Sequence, residues 1–241
     1  MKQKIDLSPN FSKKSRSKNQ IKFVIIHYTG MQSEIESLRR LKNSKSKVSC
    51  HYLINKKGEI IQMVLDKYSA WHAGKSRWKK YKNLNKNSIG IELVNRGHFY
   101  GYENFPKKQI NTLIFLCKKL KMKYGIKTEN FLGHSDIAPL RKTDPGEKFP
   151  WKRLSELSLG SWYKKKKLKD KFFIKNTKKI RFFFFKNLQK IGYRYFKSNK
   201  ENSKDRKIIR AFQQRYLPRN VTGKIDEKTF KISGFLANKL N

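Results

Sequence analysis

The sequence predicts an α/β fold followed by a small bundle of three helices. Three observations predict it. Short apolar runs at Ile21 to Ile26, Val48 to Ile54 and Ser88 to Asn95 read as core strands. Apolar residues recur at helical spacing in two segments, Ile35–Leu38–Leu41 and Ile110–Leu113–Ile114–Cys117–Leu120. From Leu154 onward the composition shifts to lysine and then phenylalanine, which marks a second unit.

With 241 residues and 37% hydrophobic content, the chain can bury one medium core and a small second one. The expected organisation is a flexible basic arm (1–20), a main α/β domain (21–158), a Lys-rich linker (159–181) and a three-helix domain (182–241). The formal net charge of +42 admits three readings. These are phosphate neutralisation on nucleic acid, attraction to an anionic polymer such as a cell wall, or a general bias toward lysine. Lysine is spread over nearly every segment and outnumbers arginine, whereas base readers lean on arginine, so no specific nucleic acid is expected. Cys50 and Cys117 imply no disulfide framework and form no CxxC pair. Cys50, beside His51, reads as a small buried strand residue, with a reactive thiol as the lesser alternative. Met1 to Gln20 has no apolar run of signal-peptide length, and no run is long enough to cross a membrane. The expected compartment is the cytoplasm, with a periplasmic or wall-associated location as the alternative, and the expected state is a monomer.

The first strand ends in His27-Tyr28-Thr29-Gly30, where α/β sheets put their chemistry. Ser33 and Glu36 form a capping box before a short amphipathic helix. Val48 to Leu65 reads as a hairpin turning at Asn55 to Gly58, with His51 inside its first strand, either supporting the site or simply packed. Trp71-His72-Ala73-Gly74 suits a pocket wall, and Ser76 to Asn87 reads as an exposed insertion. Glu92 stands in the apolar strand Ser88 to Asn95. A carboxylate there is either paired in a salt bridge or acts as a general base. Pro106 opens the long helix and Gly125 closes it.

Leu132 to Trp151 carries His134, Lys142 and Asp144, and its four breakers, Pro139, Pro145, Gly146 and Pro150, exclude one continuous helix. A loop folded back on itself brings His134 and Asp144 together, and an imidazole with a carboxylate suits zinc. His27 is the candidate third ligand. Further on, Tyr163 to Arg181 holds ten Lys/Arg against one Asp. Three short helices follow, at about Phe183–Ile191, Lys204–Tyr216 and Asp226–Ala237.

The motifs His27-Tyr28-Thr29, Val48-Ser-Cys-His51-Tyr, Ala70-Trp-His-Ala-Gly74, Ser88-Ile-Gly-Ile-Glu92 and Gly133-His-Ser-Asp…Arg141-Lys-Thr-Asp-Pro-Gly146 come in the order of one family. Over residues 20–155 the chain resembles the zinc N-acetylmuramoyl-L-alanine amidases, which share a fold with peptidoglycan recognition proteins. The resemblance implies a mixed central β-sheet flanked by helices. It also implies one zinc ion held by His27, His134 and Asp144, Glu92 as the catalytic carboxylate, and Lys142 as the cation that steadies the oxyanion. Tyr28, His51, Trp71, His72 and Arg141 are the expected substrate-binding positions, with His51 and His72 matching recurrent histidines that are not ligands. Peptidoglycan or muropeptides are the implied partners. Since no motif position is lost, a non-catalytic peptidoglycan-binding protein is a lesser alternative, as is a basic nucleic-acid-binding protein. Ala211-Phe-Gln-Gln and Gly223 to Phe230 are similar to helical peptidoglycan-binding modules.

Overall fold

The computed structural model describes residues 3–164 and 177–239. In chain order the elements are β1 (Gln3–Ile5), β2 (Phe11–Ser12), β3 (Phe23–Tyr28), α1 (Glu34–Lys42), β4 (Tyr52–Ile54), β5 (Ile60–Gln62), β6 (Ser69–Ala70), β7 (Arg77–Trp78), β8 (Tyr81–Lys82) and β9 (Ser88–Leu93). They continue with α2 (Lys107–Tyr124), β10 (Phe131–Gly133), α3 (His134–Ile137), α4 (Trp151–Glu156), α5 (Thr177–Ile191), α6 (Asp205–Tyr216) and α7 (Glu227–Lys239). Six strands form one mixed sheet in the order β1-β5-β4-β9-β3-β10. Only the β4–β5 hairpin pair is antiparallel. The expected mixed sheet flanked by helices is therefore present.

Alternation along the strands decides which face each residue meets. Val24 and Ile26 of β3 pack with Ile89, Ile91 and Leu93 of β9 in a core that includes Leu113 and Cys117 of α2. Phe23 and Ile25 point the other way and share a second core with Phe184, Phe212 and Ile232 of the C-terminal helices. His27 and Glu92 follow the parity of this second face. The two are register partners across the β3–β9 pair. α2 begins after Pro106 and ends at Gly125, whose φ of +60° is a left-handed cap that glycine adopts without strain.

Several expectations need correction. Residues 3–20 are not a flexible arm. β1 pairs in parallel with β5, and Asn10 Nδ2 donates to the carbonyls of Asn43 and Val48, each at 2.9 Å. Arg16 is buried and donates to the carbonyls of Asp66, Asn85 and Ser88 at 3.0, 2.9 and 2.7 Å. Polar side chains, not an apolar run, tie this segment down, so hydropathy gives no sign of it.

Ser76 to Asn87 is exposed only in part, at Arg77, Lys80, Lys82, Asn83 and Lys86. Trp78 and Leu84 are buried, and Trp78 packs edge-on to Tyr193 with ring centroids 4.9 Å apart. The boundary expected at residue 158 runs through packed side chains: Leu159 belongs to the α2 core, and Trp162 packs on Tyr216 at 5.7 Å. The bundle helices stand at Thr177–Ile191, Asp205–Tyr216 and Glu227–Lys239, so among the described residues the first already covers the six residues before the expected Phe183. Residues 165–176 of the expected linker lie outside the described residues. Among the described residues no helix is long and apolar enough to cross a membrane.

Candidate active site

Three parallel strands end at one place. β3 delivers His27, β9 delivers Glu92, and β10 runs through Gly133 straight into α3, which begins at His134. The carboxyl ends of open α/β sheets are where ligands bind. The segment after α3 turns back, held where the Ser135 N–H donates to the Asp144 carbonyl at 2.8 Å. This return brings Asp144 beside His134, as the breaker residues suggest.

The result is a buried triangle. His27 Nδ1, His134 Nδ1 and Asp144 Oδ2 are separated by 2.9, 3.0 and 3.1 Å. All three side chains are buried, and these donor atoms form the candidate metal cluster among the described residues. Burial works against the Asp144 carboxylate, but His134 and His27 beside it hold its pKa well below the usual range. Burial and then the neighbouring His134 lower His27 to about 4, so it is neutral and able to present a lone pair. Two lone pairs and a negative charge converging this closely call for a cation between them. Tetrahedral bonds of about 2.0–2.1 Å require ligand–ligand edges of about 3.3 Å. The observed edges lie within a few tenths of an ångström of that value, so the donor set fits a small divalent ion.

The remaining ring nitrogens are held by the protein, which fixes the tautomers. His27 Nε2 lies 3.0 Å from His72 Nδ1, and His72 Nε2 lies 3.2 Å from Ser88 Oγ, which donates to the Leu84 carbonyl at 2.6 Å. His134 Nε2 faces the Ala73 carbonyl at 3.2 Å. Such outer contacts orient metal-ligating imidazoles and raise their basicity.

Glu92 stands across from His27. Its Oε2 is buried with no hydrogen-bond partner among the described residues. Burial, reinforced by Asp144 and opposed by Lys142, pushes its carboxyl up to about 8. The salt-bridge alternative for Glu92 finds no support, since no ion pair forms on it among the described residues. Burial that disfavours the ionised form makes the carboxylate, once ionised, a stronger base, which suits proton transfer. The cavity beside it measures about 470 Å³ and is lined by eight of the ten expected site residues: Tyr28, Trp71, His72, Glu92, His134, Arg141, Lys142 and Asp144.

Not every expected substrate contact is free to serve. His51 does not line the cavity. It is fully buried, its Nδ1 accepts from the Gly90 N–H at 2.9 Å, and its Nε2 faces the Tyr68 carbonyl at 3.0 Å. A terminal nitrogen of Arg16 lies 2.7 Å from the same Nε2, so both ring nitrogens face protein groups. His72 lines the cavity, yet both of its ring nitrogens are engaged within the protein. Arg141 gives Nε to the Lys75 carbonyl at 3.1 Å and a terminal N–H to the Ala73 carbonyl, clamping the 73–75 loop. The Trp71 indole N–H donates to Ser12 Oγ at 3.2 Å.

The structure adds residues that sequence reasoning missed. His98 Nδ1 lies 2.8 Å from the Tyr28 hydroxyl, and its Nε2 lies 3.0 Å from Glu147. Phe99 is 87% exposed and lines the cavity with Tyr100. A histidine and three aromatics in the short glycine-punctuated run Gly97 to Tyr102, just after the strand of Glu92, were the available signal.

A family profile described as N-acetylmuramoyl-L-alanine amidase matches residues 17–147, more than half of the chain. The chain belongs to the N-acetylmuramoyl-L-alanine amidase family. Within that family it is 42% identical over 154 residues to the N-acetylmuramoyl-L-alanine amidase AmiD of Escherichia coli, a match covering 59% of this chain and 55% of that protein. It is 38% identical over 118 residues to the 1,6-anhydro-N-acetylmuramyl-L-alanine amidase AmpD of Citrobacter freundii, covering 49% and 61%. The chain thus spans a little over half the length of these curated relatives. Among solved structures, the complex of E. coli AmiD with anhydro-N-acetylmuramic acid-L-Ala-D-gamma-Glu-L-Lys superposes at a TM-score of 0.80, with 34% identity, 91% of this chain and 90% of that chain. Pseudomonas aeruginosa AmpDh3 in complex with anhydromuramic pentapeptide superposes at 0.81, with 29% identity, 95% and 94%. Both family structures cover the bundle as well as the sheet.

Proposed function

We propose that this protein is a zinc-dependent N-acetylmuramoyl-L-alanine amidase. It hydrolyses the amide between the lactyl group of N-acetylmuramic acid and L-alanine in muropeptides, in peptidoglycan turnover or recycling. The observation that carries this reading is the buried His27–His134–Asp144 triangle with Glu92, whose Oε2 has no hydrogen-bond partner among the described residues, at the same cavity. The relatives' bound anhydromuramyl peptides support the substrate class.

Bound by His27, His134 and Asp144, zinc supplies a Lewis acid and an acidified water with a pKa of about 7. The remaining chemistry falls to the chain. Glu92 Oε2, without another partner among the described residues, accepts the proton of the attacking water and later delivers it to the departing L-alanine nitrogen. Lys142 lines the cavity and places its ammonium to face the amide oxygen as that atom becomes anionic. Exposed Phe99 and Tyr100 at the cavity offer apolar surface to the substrate.

The test is incubation of the zinc-loaded protein with a purified anhydro-muropeptide, and in parallel with intact sacculi, followed by mass spectrometry. Release of free stem peptide is expected. A zinc-loaded wild-type protein that releases none from either substrate would overturn the proposal, and the ratio of the two rates tells soluble fragments from intact wall.

A further inference from the structure

Two residues past His134, the carboxylate of Asp136 is buried at 1% exposure. Its partners come from three places. The Gly133 N–H donates to Oδ2 at 2.8 Å, a guanidinium N–H of Arg215 donates to Oδ2, and the Tyr193 hydroxyl donates to Oδ1. Two of these three donors belong to the C-terminal bundle: Tyr193 follows α5 and Arg215 lies in the last turn of α6. Arg215 also donates to the Phe131 carbonyl in β10 at 3.0 Å, and its guanidinium lies 3.9 Å from the Trp151 ring centroid at the start of α4. The preceding residue, Gln214, donates to Glu147 at 3.1 Å, three residues past Asp144. The end of α6 thus grips the metal-site loop near both of its ligands.

That grip has a physical purpose. α3 is a single turn of four residues, too short to hold itself. A carboxylate as deeply buried as Asp136 is tolerated only while its donors stay in place. Taking one donor away favours a turn that opens toward water, and His134 is the first residue of that turn.

We propose that Arg215 and Tyr193 are positioning residues through which the C-terminal bundle holds His134 in line with His27 and Asp144. The bundle is then a part of the metal site and not only an attachment for binding wall material. The inference rests on the amidase reading for its kinetic consequences alone, because its main readouts need no substrate.

The test uses the full chain carrying Tyr193→Phe, which removes one hydroxyl and keeps the ring, and Arg215→Lys. Asn187→Ala serves as a control, since Asn187 bonds Ser233 at 3.0 Å inside the bundle. Zinc affinity is measured by chelator competition, hydrogen exchange is followed at the amides of residues 133–138 in the metal-free protein, and melting is recorded for each variant. Tyr193→Phe and Arg215→Lys are expected to bind zinc about 10–100-fold more weakly. They should also exchange faster at residues 133–138, while Asn187→Ala keeps wild-type affinity at a comparable loss of melting temperature. Wild-type affinity in Tyr193→Phe overturns the proposal, as does an equal loss of affinity in the control. If Arg215→Lys does not fold, Tyr193→Phe decides alone. Inactive zinc-loaded wild-type protein would count against the amidase reading and leave these affinity comparisons intact.

Discussion

His27 and Glu92 face each other in register across two parallel strands, one residue short of the end of each. Strand pairing therefore holds the proposed ligand and the proposed proton carrier at a fixed separation before any metal arrives. The two residues should separate cleanly by mutation. Glu92→Gln keeps the donor triangle and should bind zinc normally, while turnover falls by about 10²–10⁴-fold. His27→Ala should lose the metal itself, which elemental analysis of the purified protein would show. Near-wild-type turnover in Glu92→Gln removes that residue from proton transfer.

His72 reaches His27 from the other side, with Nδ1 3.0 Å from His27 Nε2. The room for its ring comes from Gly90, where an added Cβ would lie 2.3 Å from His72 Cγ. His72→Phe should fill the same space without the hydrogen bond and weaken zinc binding by about 10–100-fold. Gly90→Ala should do the same by displacing the ring. Chelator competition on both variants checks this, and unchanged affinity in His72→Phe would show that the contact does not set the tautomer.

Lys142 carries charge into the cavity next to Glu92 and Asp144. If its ammonium serves the developing oxyanion, Lys142→Met should lower kcat by about 10²–10³-fold and leave KM almost unchanged. Steady-state kinetics on a soluble muropeptide distinguish this from a binding role, which would raise KM instead.

Asp66 gives a stability prediction away from the site. Burial works against its carboxylate, but hydrogen bonds from Tyr124, Tyr52 and Lys123 win and lower its pKa. A folded pKa below the unfolded one adds stability at neutral pH, and that stability is lost as the pH falls through the folded value. Asp66→Asn should therefore cost about 1–3 kcal/mol at pH 7. The difference from wild type should shrink once the pH drops below about 3.9, the unfolded value. Urea unfolding at pH 7 and pH 3 measures it, and a difference that does not depend on pH would refute the assignment.

From the letters alone came the strand cores, the helix bounded by Pro106 and Gly125, and the backtracking loop of His134, Lys142 and Asp144. Each of these is written locally, as alternation, as a breaker, or as two candidate ligands ten residues apart. The tertiary structure decided which polar side chains meet across long separations. It joined His27 to His134 over 107 residues, seated Arg16 beneath His51, and set Arg215 on Asp136. Periodicity tells a residue which face it shows, but a buried polar group is satisfied by whatever the fold carries to it. That is why the N-terminal segment, the His72 contact and the reach of the bundle to Asp136 became legible only once the chain was folded.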